Sequence, residues 1–182
     1  DMGALPNKLT GFQDVEDDDV RGKFEEAWDC TIPPTNGWNL TQMFEAMGRD
    51  ELKAVYCIGE NPVDSEADAI HARAMLERLD MLVVQDVFMT RTAEMADVVF
   101  PAALGWAESD GTATNSERRV QRMRAAVPPP GQARQEVGII NDLAAAMGDD
   151  QWGQPAPEDL WEELRTVSPM HGGMSWDRLE AE

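Results

Sequence analysis

The sequence predicts an α/β protein with a Rossmann-like, mostly parallel sheet and flanking helices. Three observations carry that expectation. Residues 54–58 and 81–84 are short, unbroken apolar runs of the kind that form buried strands, and a helix-length segment at 66–79 separates them. A right-handed strand–helix–strand connection is the arrangement that such spacing favours, with the sheet parallel and covered on both faces. A third strand is expected at 97–100.

Before this core, residues 1–37 contain Pro6, an acidic run from Glu16 to Asp19 and the pair Pro33-Pro34, which together suggest a loosely ordered lead-in with one short helix at 18–28. From Thr41, the spacing of Met43, Phe44 and Met47 suits an amphipathic helix that stops before Gly48. Gly59 ends the first strand, and Glu60-Asn61-Pro62 forms a turn. The helix that follows places Ile70, Ala74 and Leu79 on one broad face. Beyond Pro101 comes a glycine-containing loop, then an arginine-rich segment, then Pro128-Pro129-Pro130-Gly131. Val137, Ile140, Leu143 and Ala144 form a helical stripe that closes at Gly148, and a last helix at 158–167 turns Leu160, Trp161 and Leu164 inward. The expected organisation is a lead-in at 1–40, a Rossmann-like domain at 41–150 and a C-terminal helical extension at 151–182.

The chain has 182 residues, with 15 Lys+Arg against 35 Asp+Glu and a formal charge of −20. Such a field opposes binding to nucleic acid or to an anionic membrane. The lysines are only Lys8, Lys23 and Lys53, and the carboxylates are spread along the chain, a balance that suits a proteome adapted to high salt. An ordinary acidic cytoplasmic protein is the other reading of the same charge. No apolar stretch is long enough to span a bilayer. Cys30 and Cys57 are too few to hold a four-cysteine iron–sulfur cluster within this chain.

In an open parallel sheet, ligands bind beyond the carboxyl ends of the strands. The first strand ends in Gly59-Glu60-Asn61-Pro62 and the second in Gln85-Asp86, and these two ends should be neighbours. Gly59 allows close backbone approach, Asn61 offers an amide, and Asp86 can accept from a ribose hydroxyl or from the donor edge of a guanine. Against this, Asn61-Pro62 can be only a turn, and Asp86 can simply cap the next segment. Thr90 and Thr92 could cradle a phosphate, although hydroxyls near a helix start are more often caps. Arg118, Arg119, Arg122 and Arg124 form the basic concentration of an acidic chain, suited to a diphosphate, to an acidic partner or to salt bridges on an exposed strand. His71 and His171 have no ligand-spaced companions and read as surface or helix residues. Cys57 reads as a buried hydrophobe, not a nucleophile.

Several strings carry a resemblance: the opening Asp1-Met2-Gly3-Ala4-Leu5-Pro6, Gly59-Glu60-Asn61-Pro62, the run from Leu82 to Thr90 with Gln85-Asp86 at its centre, Thr92 to Ala103, Asp110-Gly111-Thr112, and Asn115 to Arg122. Together they resemble the large subunits of molybdenum or tungsten enzymes carrying two molybdopterin guanine dinucleotides, most of all formate dehydrogenase catalytic subunits. The resemblance covers nearly the whole chain. It implies that this is an internal fragment, a middle domain holding one pterin guanine dinucleotide; the charge balance separately suggests a fragment of haloarchaeal type. By that likeness Gly59, Glu60 and Asn61 lie at the cofactor, Ser65 near its nucleotide, Gln85 and Asp86 at the guanosine end, and Thr90 beside them. Ser109 and Glu136 also fall at cofactor positions, where relatives often carry a basic residue and an aspartate.

The same resemblance implies no catalytic or metal-ligating residue within this chain. The metal-binding cysteine or selenocysteine, its histidine, the formate-orienting arginine and a 4Fe-4S cluster would belong to other segments of the subunit. Partners would be the remaining domains of that subunit and an electron-acceptor subunit, with formate as substrate. Neighbouring families stay open, among them nitrate reductases and the non-catalytic large iron–sulfur subunit of NADH dehydrogenase.

Overall fold

A computed structural model describes residues 5–149, 151 and 153–181. Of the opening motif, Asp1, Met2, Gly3 and Ala4 lie outside the described residues. In chain order the elements are β1 (Lys8–Leu9), β2 (Gln13–Asp14), α1 (Asp18–Trp28), α2 (Leu40–Gly48), β3 (Ala54–Ile58), α3 (Pro62–Ser65), α4 (Ala69–Leu76) and β4 (Met81–Asp86). There follow α5 (Arg91–Glu94), β5 (Val98–Pro101), β6 (Gly111–Thr114), β7 (Val120–Met123), α6 (Glu136–Ala146), α7 (Pro157–Val167) and α8 (Trp176–Ala181). The chain forms two compact units.

The unit that contains residues 40–111 and 123–154 is built on a sheet of order β3-β4-β5, and every pairing in it is parallel. The register aligns Ile58 with Gln85 and Asp86 with Pro101, so all three strands end at one edge. Side chains alternate across the sheet. One set, with Cys57, Leu82 and Val84, packs against Phe44 and Met47 of α2, Ala72 and Leu76 of α4, and Ala93 of α5 in a single apolar core.

The opposite face departs from expectation. Ile58, Met81 and Val98 are exposed there, whereas Gln85 is buried and Tyr56, Val83 and Phe100 are half-buried, so that face is covered only in part. The physical reason is that α2, α4 and α5 all supply the core on the same side. The helix expected at 66–79 is shorter, running as α4 over Ala69–Leu76, and a separate short helix, α3, stands just before it where only a turn was expected. Glu66 leaves the helical region with ψ 145°, and Asp68 restarts a helix by accepting the His71 N–H at 2.9 Å. The restart changes the phase. Ala72 and Leu76 turn inward, whereas Ile70 is 85% exposed and Ala74 is exposed too.

Smaller corrections occur in α6 and α7. Ile139 is buried in α6 while Ile140 faces solvent, and in α7 Trp161 and Val167 are buried and Leu164 packs inward, with Leu160 exposed. Each expected stripe holds apart from one member, Ile140 in α6 and Leu160 in α7, which sits at the edge of its face and turns to solvent.

The second unit gathers described residues from 5–39, 112–122 and 155–181. The lead-in is not loosely ordered. Lys8 and Leu9 pair antiparallel with Asp14 and Gln13, and Asp17 caps α1 by accepting the Asp19 and Val20 N–H groups at 3.0 and 3.1 Å. Phe24 of α1 has no exposed surface and meets Trp28 with ring centroids 4.9 Å apart. Gly11, at φ 78°, lies so close to Ser168 that a Cβ there would come within 2.4 Å of its hydroxyl oxygen. In the same unit Trp161, Trp176 and Leu179 form a small core, the Trp161 indole donates to the Met174 carbonyl at 2.7 Å, and the Arg122 guanidinium lies 3.9 Å over the Trp176 ring.

His171 is half-buried beside the Trp161 ring, with Nδ1 2.7 Å from the Ser168 hydroxyl, and burial lowers its pKa from the ordinary value. The fold therefore favours the neutral ring. Its contribution to stability is present above the unfolded pKa of about 6.5 and is lost as pH falls from there toward the lower folded value. Between about pH 7 and 5, wild-type protein should lose stability more steeply than His171→Gln in paired urea melts; parallel curves would contradict this. Leu82→Ala, which empties part of the sheet core, should cost about 2–5 kcal/mol in the same assay.

Candidate functional site

The carboxyl edge of the sheet is built by backbone geometry first. The Gly59 N–H donates to the Gln85 carbonyl at 2.8 Å, extending the β3–β4 ladder past the last strand residue and bringing the two terminal loops together. Gly59 has φ 64°, the left-handed turn that lets the chain leave the sheet so abruptly. On the other side of β4, the Asp86 carbonyl accepts from the Ala102 N–H at 3.1 Å, and Ala103 donates to the Arg134 carbonyl at 2.8 Å. Gln135 in turn donates to the Glu108 carbonyl at 3.3 Å. These links carry the loop containing Ser109 and the start of α6 at Glu136 to the same end of the sheet.

Within that edge the side chains take distinct roles. Gln85 is 1% exposed; its Oε1 accepts from the Tyr56 hydroxyl, while its Nε2 has no hydrogen-bond partner among the described residues. Ser109 is buried with its hydroxyl likewise unpartnered. Unpaired buried donors are costly, so both groups point to an acceptor supplied from outside this chain's described residues. Asp86 accepts the Phe88 N–H at 3.0 Å, which is the capping role weighed from the sequence. Thr90 caps α5 by accepting the Ala93 N–H at 3.1 Å. Glu60 and Ser65 are exposed, and the Glu60 carbonyl accepts from the Cys57 thiol at 3.3 Å.

Asn61 is occupied internally. Its Oδ1 accepts from the Thr92 hydroxyl at 2.8 Å and from the Thr92 N–H at 3.3 Å, and its Nδ2 donates to Asp64 at 2.7 Å. Thr92 and Tyr56 thus hold two of the candidate residues; Thr92 was weighed from the sequence only as a phosphate cradle, and Tyr56 was not singled out. The available signal for Tyr56 was strand alternation, which places it on the same face as Gln85. Arg118 and Arg119 are at the exposed turn joining β6 to β7, where Arg118 adopts φ 63°; Arg122 pairs with Glu180 at 2.6 Å. These belong to the other unit.

No group of three or more His, Cys, Asp or Glu side chains suited to a metal is found among the described residues, and none of their helices is long and apolar enough to cross a membrane. Cys57 is buried, and desolvation raises its pKa, keeping it a thiol; Cys30 is exposed. A disulfide-exchange reagent at neutral pH should therefore titrate Cys30 quickly and Cys57 only after denaturation; two fast thiols would contradict the packing. Tyr56→Phe should destabilise the fold by about 1–3 kcal/mol through the acceptor it strands on Gln85, read by urea unfolding.

The Molybdopterin oxidoreductase family model matches residues 6–146. An F420-dependent formate dehydrogenase subunit alpha of Methanocaldococcus jannaschii is 46% identical over 181 residues, 99% of this chain and 26% of that protein. A putative formate dehydrogenase of Bacillus subtilis is 41% identical over 99% of this chain and 18% of its own length. The chain thus spans about a quarter or less of the curated relatives it matches. Among solved structures, the acetylene hydratase of Pelobacter acetylenicus superposes with a TM-score of 0.62 at 25% identity, covering 90% of this chain and 23% of that one. The chain belongs to the molybdopterin oxidoreductase family.

Proposed function

We propose that this chain is part of a formate dehydrogenase catalytic subunit and that the carboxyl edge of its sheet holds the guanine-dinucleotide end of one molybdopterin cofactor. The observation that carries this reading is the buried, unpartnered Gln85 amide beside Asp86, at the edge where Gly59 lets a ligand approach the backbone. The residues fit such a group: Gln85 and Ser109 offer donors to its carbonyl or phosphate oxygens, and Asp86 offers a carboxylate to its N–H edge. Gly59, Glu60 and Asn61 line the first loop, Ser65 ends the α3 turn that follows it, Thr90 shapes the second, and Glu136 opens α6 at the same end. When bound, the molybdenum or tungsten and its pterins supply two-electron oxidation of formate to carbon dioxide.

This chain's residues bind and orient; they neither transfer protons to formate nor ligate the metal. The domain division proposed is a pterin-binding core at 41–150, preceded by a lead-in at 1–40 and followed by a helical extension at 151–182. The remaining domains of the subunit, a 4Fe-4S cluster in one of them and an electron-acceptor subunit complete the proposed assembly, in the cytoplasm of a salt-adapted cell. The formate dehydrogenase relatives and the family match support this choice over other oxidoreductases.

The parent subunit, purified with its cofactor, should reduce a viologen dye in a formate-dependent manner, and this chain alone should not. Absence of formate-dependent reduction by the cofactor-loaded parent would overturn the reading. In the parent, Tyr56→Phe combined with Gln85→Leu removes both members of the buried pair; it should lower acid-released guanine nucleotide per polypeptide about tenfold, and undiminished nucleotide would reject the contact. Circular dichroism should show the thermal midpoint rising from about 0.1 M to about 2 M KCl as counterions screen the carboxylates; a fall would reject salt adaptation.

A further inference from the structure

The two loops that frame the candidate site are joined by a closed set of side-chain bonds. The Thr92 hydroxyl donates to Asn61 Oδ1 at 2.8 Å and accepts the Val63 N–H at 3.2 Å, so it both gives and receives across the gap between the β3–α3 loop and α5. The Thr92 backbone N–H adds a second bond to the same Asn61 oxygen. Asn61 Nδ2 holds Asp64, and Asp64 pairs with Arg91, the residue before Thr92. Thr92 is completely buried, where such bonds are shielded from competing water.

We propose that Thr92 is a positioning residue that locks the loop after β3 to the loop after β4, so that Gly59–Glu60 and Gln85–Asp86 present one rigid rim to the ligand. The role extends the function proposed above and rests on that reading for the identity of the ligand. Asn61 then serves the site by holding the loop, since its amide groups are already committed to Thr92 and Asp64. Preorganisation of this kind improves affinity because the loops need not be ordered at the moment of binding. Valine has the shape of threonine but neither a donor nor an acceptor, and serine keeps both.

The test uses the cofactor-loaded parent subunit carrying Thr92→Val, Thr92→Ser or, as a control for general destabilisation, Leu76→Val in the α4 core. Two quantities are measured: amide hydrogen exchange of peptides covering 59–64 and 86–92, and guanine nucleotide retained per polypeptide after gel filtration. Thr92→Val should accelerate exchange in both loops together by about tenfold and lower retained nucleotide about fivefold or more. Thr92→Ser should restore both to within about twofold, and Leu76→Val should move neither loop.

Unchanged loop exchange in Thr92→Val, or a serine variant as defective as the valine one, would overturn the role. Should Thr92→Val fail to fold, Asn61→Ala at its half-buried loop position asks the same question and carries the same expectation. Wild-type subunit without guanine nucleotide would overturn the ligand assignment alone, and loop exchange would still decide whether Thr92 is the lock.

Discussion

The parallel pairing of β3 with β4, in the register that aligns Ile58 with Gln85, is the constraint on which the rest depends. A parallel ladder brings both strands to the same edge, so the loops that leave them share one crevice. The Gly59-to-Gln85 main-chain bond carries that alignment one residue beyond the strand. A register shift by a single residue would exchange Gln85 with Val84 between faces, exposing an apolar core residue and withdrawing the amide from the edge.

The core protects this register by burying the centre of one face. Leu82 and Val84 of the central strand pack with Cys57 of β3 against α2 and α4, and any slip would expose them. The other face is more open at its periphery, with Ile58, Met81 and Val98 exposed, while Tyr56, Val83 and Gln85 are buried or half-buried nearer its centre. Apolar side chains of one face fix the strands, and the alternate positions are free to carry polar groups such as Tyr56 and Gln85.

What the sequence made legible was whatever depends on local pattern. The apolar runs at 54–58 and 81–84 located β3 and β4, and Gly59 marked the end of the first. The break between α3 and α4 was not legible, because Asp68 is a good helix cap but also an ordinary surface residue in a continuous helix, and only three-dimensional packing decides between them. Phe24 was hidden for a similar reason, since one aromatic in an acidic helix gives little amphipathic signal although its burial organises the lead-in. At the candidate site, Gly59, Gln85 and Asp86 were placed at strand ends, where the structure has them. Tyr56 was missed, and the bond from Thr92 to Asn61 with it, because each acts through a partner 29 or 31 residues away, a relation that no local spacing encodes.

The central claim is spatial: the nucleotide end of a pterin cofactor sits against the loops that leave β3 and β4. A structure of the cofactor-loaded parent subunit measures this most directly. The account predicts guanosine or diphosphate density within hydrogen-bond distance of Gln85 and Asp86, with the Gln85 amide satisfied by the ligand. Density for the dinucleotide elsewhere, with a protein carbonyl occupying the Gln85 amide, would contradict it.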